Sequence, residues 1–283
     1  MKRLTPLILL VLCILAGCGV AAVQSAVAPP AFAAGADELP VEGLAQWTFE
    51  HKVSFGDFQT DQLRRGWSPS RPLGGPQLRT GTGGSPVLDV LDLPYVARLK
   101  NAPNKLQFSI HDRTTHWADF YGAKNVSNRE LQTLSPLWGK DAATFARSHA
   151  EAFTGVILGP RLDSTNVWNI LLGSDIPTPE TATSVPATVG LVGDQDRVLL
   201  AIRQDVRRTA PNPQTGAPEP LPAPQFVGYE IIYHNEPIAL VDLQTPQGKI
   251  WLKSGLQSDL RFLTASTAAA VLLWTRPFAP AHK

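Results

Sequence analysis

The stretch that most constrains this chain lies near its end, "SDLRFLTASTAAAVLLW", Ser258 to Trp274. Ser258 or Asp259 can cap a helix, and Thr275, Arg276 and Pro277 stop it. From Leu260 to Trp274 such a helix is about 22 Å long and contains Arg261, whereas a bilayer core requires roughly 20 apolar residues. It is therefore predicted not to span a membrane. From Ala265 onward it has almost no polar face, the pattern of a helix enclosed by protein on all sides. Its small residues, Ala265 to Ala270, let the surrounding elements come close.

What could enclose it is a sheet, because most of the remaining chain reads as short strands between turn residues. Candidates are Gln46–Phe55, Val87–Leu93, Lys105–Asp112, His116–Gly122, Asn166–Gly173 and Arg197–Val206. The last third adds "FVGYEIIYHN", "EPIALVDLQ" and "GKIWLKSG", joined at "HNEP" and "TPQGK". Phe108 and Ile110 alternate with Gln107 and Ser109, and Tyr229, Ile231 and Tyr233 with Glu230 and Ile232. The expected fold is mainly β: an antiparallel barrel around the hydrophobic C-terminal helix. The alternative is a β-sandwich with an amphipathic helix packed on one face. Asp141–Phe153 has helical propensity but could also lead into the strand "TGVILG". The Pro-rich "TAPNPQTGAPEPLPAP", Thr209–Pro224, is expected to be a long irregular hairpin loop.

The N-terminus reads as a targeting segment. Lys2 and Arg3 precede the apolar run Leu4–Leu15, which ends in "LAGC", Leu15 to Cys18. That ending resembles the bacterial lipobox, whose cysteine is lipidated and becomes the new N-terminus. The resemblance implies a signal peptide over residues 1–17, lipid attachment at Cys18 and a membrane partner reached through that lipid. The competing cleavage site, after Ala33 in "AFAA", lies about 18 residues beyond the apolar run, behind Pro29-Pro30. Gly19 rather than Asp after the cysteine implies, by the same resemblance, sorting to the outer membrane. Residues 18–40, rich in Ala and Pro, read as a tether, and residues 41–283 as a single β-rich domain.

Cys13 and Cys18 are the only cysteines, so a chain cut before Cys18 and lipidated there keeps no free thiol and no internal disulfide. Lys plus Arg number 25 against 24 Asp plus Glu, which leaves no electrostatic case for a nucleic-acid partner. The composition, 43% hydrophobic and 17% charged, is that of a globular domain.

The "GKIWL" strand, Leu256 and an acidic opening to an alanine-rich C-terminal helix together resemble the end of the tubby-like barrel class, which includes phospholipid scramblases. "FGDFQTDQLRRGW", Phe55 to Trp67, with this ending is similar to uncharacterised bacterial lipoproteins. The resemblance implies architecture only, since the phosphoinositide-contacting basic motif of tubby domains has no counterpart here.

Chemistry is sparse. "HDRTTHWAD" brings together His111, Asp112, His116 and Asp119, which could hold a divalent metal or form an acid–base pair if the fold made them converge; a polar hairpin with solvated histidines is the simpler expectation. "RTGTGGSP", Arg79 to Pro86, lacks the Gly-Lys-Ser/Thr ending of a phosphate loop. Arg64, Arg65 and Trp67 could meet phosphate or a sugar face, or could be a core tryptophan beside a solvated turn. The function expected is that of a lipid-anchored bacterial envelope protein, a binding or structural module that uses no cofactor or metal. The alternative is a metal-dependent envelope hydrolase using His111, His116 and nearby carboxylates.

Overall fold

Alternating and β-branched apolar runs become strands, and the computed structural model joins them edge to edge. It describes residues 28–44, 52–65, 105–113, 116–127, 151–159, 167–173, 188–194, 197–212, 214–245 and 247–275. After a short helix α1 (Pro30–Ala33) come β1 (Ala36–Glu42), β2 (Val53–Phe55), β3 (Phe58–Arg65), β4 (Lys105–His111), β5 (Trp117–Ser127) and β6 (Glu151–Leu158). Then follow β7 (Val167–Gly173), β8 (Thr188–Gly193), β9 (Val198–Pro211), β10 (Pro218–Tyr233), β11 (Glu236–Asp242), β12 (Lys249–Lys253) and the helix α2 (Ser258–Thr275). Each described strand pairs antiparallel with its sequence neighbour, and β1 closes the barrel against β12. The fold is thus the antiparallel barrel around the C-terminal helix, and not the sandwich.

An eight-stranded barrel is filled by its own side chains, and a wider one leaves room along its axis. α2 occupies that room. Every residue from Phe262 to Leu273 is buried, and these residues share one cluster with inward side chains such as Val41, Phe55, Phe108, Phe120, Ile170, Ile202, Ile231 and Leu252. Rings fix both ends of the helix: Phe262 lies 6.3 Å from Phe58, and Trp274 stacks on Phe153 at 4.2 Å. The buried polar residues of α2 satisfy themselves within the helix. Thr264, Ser266 and Thr267 donate to the carbonyls of Leu260, Phe262 and Leu263 at 2.6, 2.8 and 2.9 Å, so burial leaves no hydroxyl donor unpaired. Among the described residues no helix is long and apolar enough to cross a membrane.

Several expectations change. The folded domain begins before Val41: Ala36–Pro40 pair with Lys249–Lys253, and Leu39 and Val41 point inward while Glu38, Pro40 and Glu42 stay exposed. Pro40 and two carboxylates concealed this period-two pattern. Upstream, Ala28 and Phe32 pack on Leu240 and Trp251, on the outer face of β11 and β12, so the tether cannot extend to residue 40. The Pro-rich stretch is largely strand. β9 and β10 run out to Pro211 and Pro218, and Asn212 closes the turn by accepting from the amides of Gln214 and Thr215 at 2.7 and 3.0 Å. Pairing lapses between Pro220 and Gln225, where prolines supply no donor. Of Gln46–Phe55 only Val53–Phe55 is described as strand, and Glu151–Phe153 opens β6; the rest of those two stretches up to Glu50 and Ala150, Val87–Leu93, and Arg79–Pro86 lie outside the described residues.

Two alanines test the enclosure of α2. At 100° per residue Ala268 and Ala270 face roughly 160° apart, and both are fully buried. Leucine at either position is expected to destabilise the fold by about 1–3 kcal/mol through overpacking, measured by denaturant unfolding. A neutral result at one of them means that the helix has a free face.

Candidate functional site

Strand polarity places the β2–β3, β4–β5 and β10–β11 turns, together with the start of α2, at one end of the barrel. His111, Asp112 and His116 gather there, yet they do not converge. His111 closes β4, and its Nδ1 lies 3.3 Å from Asp61 of β3. His116, beyond the turn, faces two other carboxylates: Nδ1 is 2.8 Å from Asp112 and Nε2 3.3 Å from Asp259 in the first turn of α2. Its ring also stacks on Phe262 at 5.4 Å. His116 therefore fastens the helix entry to the β4–β5 turn, a structural role that local sequence could not show because Asp259 lies 143 positions away. Among the described residues, no three His, Cys, Asp or Glu side chains form a group able to hold a metal.

Asp119 leaves the group altogether. On β5 it lies opposite Ser109 of β4, on the outer face, and is fully buried. Ser109 Oγ donates to Asp119 Oδ1 at 2.7 Å, while Asp119 Oδ2 and the neighbouring Gln107 Nε2 have no hydrogen-bond partner. Burial disfavours the carboxylate and pushes this group up to about 7, with the serine hydroxyl opposing it. The outer wall around it is buried too: Gln107, Tyr121, Val156, Leu158 and Leu171 lie on that face. This is why the polar Gln107 lies inside the protein even though β4 alternates correctly. Arg64 is exposed on β3; the side chain of Arg65 and all of Trp67 lie outside the described residues, as does Cys18.

A cleft of about 480 Å³ opens at this end of the barrel, between β1, the β2–β3 turn and the β4–β5 turn. It exists because β2 is short. β1 pairs with β2 only at Val41↔Phe55 and Glu42↔Ser54, and the chain then turns back at Gly56–Asp57. Gly56 adopts φ +57°, and a Cβ there would meet Leu39 at 2.7 Å, so glycine permits both the turn and its contact with β1. Leu39, Phe55 and Phe58 floor the cleft; Glu38, Glu42, Asp57, Asp112, His111 and Arg113 rim it. Arg113 and Arg261 lie 3.5 and 3.8 Å from Asp57. Lys249 lies 2.7 Å from Glu38 and holds that carboxyl below its usual range. Glu42 has no ion pair among the described residues. The sequence carries no signal for this cleft, because it results from the length of one hairpin.

Asp119 yields a stability test. Its folded value lies above that of an ordinary aspartate, so the native state holds the extra proton and stability falls as pH rises from about 4 through about 7. The full effect is on the order of 4 kcal/mol at 1.36 kcal/mol per unit. Asp119→Asn is expected to flatten unfolding free energy across that range; an unchanged slope in urea titrations assigns the pH dependence to another group.

No family model, curated protein or solved structure matches the chain.

Proposed function

We propose that this is a lipid-anchored protein of the bacterial envelope, fixed through Cys18, that serves as a binding or structural module and offers its ligand the outer wall of the barrel. The observation that carries the binding half is the position of the cleft. α2 occupies the barrel axis, so the interior is closed to a ligand, whereas the wall beside β1 is open. A closed barrel around an apolar C-terminal helix also supports the likeness to the tubby-like class at the level of architecture. Support for the anchor is the apolar run Leu4–Leu15 ending in Leu15-Ala16-Gly17-Cys18. Gly19 in the following position favours the outer membrane. The hydrolase alternative loses ground because His111 and His116 engage different carboxylates.

Only residues 18–27 separate the lipid site from Ala28, which packs on the barrel wall. Fully extended, they reach at most about 35 Å. The barrel would thus sit against the membrane surface.

Carbonate extraction and intact-mass analysis test the anchor. The native chain is expected in the carbonate-resistant membrane with lipid mass on Cys18, and Cys18→Ala in the soluble fraction. An unmodified Cys18, or a Cys18→Ala chain that stays membrane-bound, overturns the reading.

A further inference from the structure

Among the described residues, the half of β1 bordering the cleft is an open strand edge. Ser254 N donates to Gly35 O at 2.9 Å, which fixes the hydrogen-bonding phase of the β1–β12 ladder. Asp37 and Leu39 share the phase of Gly35 and bond to β12. Ala36, Glu38 and Pro40 must then direct their backbone groups to the other side, those of Glu38 and Pro40 into the cleft. Pro40 agrees, since a strand tolerates proline where the missing N–H faces away from a ladder. Among the described residues no strand pairs with Ala36–Pro40 on that side; β2 takes over only at Val41. Space, backbone donors and acceptors, and a ready-made register therefore coincide.

The occupant follows from the side chains. Asp37, Glu38 and Glu42 make β1 acidic with no basic residue of its own, so a second copy pairing edge to edge would set carboxylates against carboxylates. A basic strand meets the opposite situation. Its outward residues pass Glu38, already beside Lys249, and approach Glu42, which has no ion pair among the described residues; its inward residues face Leu39 and Phe58. We propose that the open edge of β1 binds an extended segment of another protein in which lysine or arginine alternates with apolar residues, by strand addition. It deepens the binding-module reading and depends on that half alone, not on the anchor at Cys18.

The test uses the full-length chain in detergent and an eight-residue peptide alternating Lys and Val, followed by fluorescence anisotropy. Saturable binding is expected, weakening as salt rises and absent for the Glu-Val counterpart. Glu42→Gln should weaken binding severalfold. Glu38→Pro removes the N–H aimed into the cleft without touching the β12 ladder, and should weaken binding roughly tenfold more than Glu38→Gln. Should Glu38→Pro fail to fold, a Lys-Val peptide N-methylated at alternate residues probes the same bonds on the native chain and is expected not to bind. Equal binding of the N-methylated peptide overturns strand addition, leaving only a charged patch. Absence of saturable binding, self-association through β1, or blockage of the edge by the chain's own basic segments, read by cross-linking, overturns the proposal as well. None of these results bears on lipid at Cys18.

Discussion

A helix with no polar face can persist only where every side of it is apolar, and much of this architecture follows from meeting that condition around α2. A single sheet face covers half a helix; a closed sheet covers all of it. Ala265, Ala268, Ala269 and Ala270 keep the helix thin, and Phe108, Phe120, Phe153 and Phe262 supply bulk where the alanines leave space. Inside, the hydroxyls of Thr264, Ser266 and Thr267 bond back to the helix, so no strand has to offer them a partner. A barrel filled in this way cannot also be a container, which moves any binding chemistry to its outer wall.

Closure around so large a core is uneven. β9 and β10 pair over ten registered positions, whereas β1 and β2 pair over two. The weak seam lies where β2 turns back early at Gly56–Asp57. There the helix entry is held by side chains rather than by a ladder: Arg261 beside Asp57 and over the ring of Phe58, and His116 between Asp112 and Asp259. These are contacts between part-exposed groups, individually weak. Among the described residues, the seam is therefore where the barrel combines backbone without a strand partner with a modest barrier to local rearrangement.

What could be read beforehand depended on periodicity. The end of the chain is legible because "EIIYHNEP" and "GKIWL" are short apolar runs bounded by turn residues, and because α2 lacks any polar face. β1 is not, since "ADELPVE" presents Glu38, Pro40 and Glu42 on one face and sets the exposed Asp37 beside Leu39 and Val41 on the other. Burial on both sides of β4 and β5 conceals Asp119, because Gln107 and Ser109 alternate with Phe108 and Ile110 as an outer face would, while Gln107 and Asp119 are buried. The sequence puts the histidines on a hairpin, but their partners Asp61 and Asp259 come from distant strand and helix positions. Hairpin length, which makes the cleft, leaves no trace in composition or motif.

One consequence joins the two ends of the N-terminal segment. Ala28 and Phe32 are seated on the outer wall of β11 and β12 through Leu240 and Trp251, and the same stretch then enters the barrel as β1. Trp251 Nε1 donates to Glu38 at 3.2 Å, and Lys249 holds the same carboxylate, so the residue whose backbone faces the cleft is tied by its side chain to the wall that seats α1. An anchor at Cys18 would pull on α1 before it pulled on β1. The open edge would thus be held close to the membrane while being shielded from tension by the Ala28–Leu240–Trp251 contact, and a partner segment adding to β1 would meet a strand of fixed register rather than a loose tether.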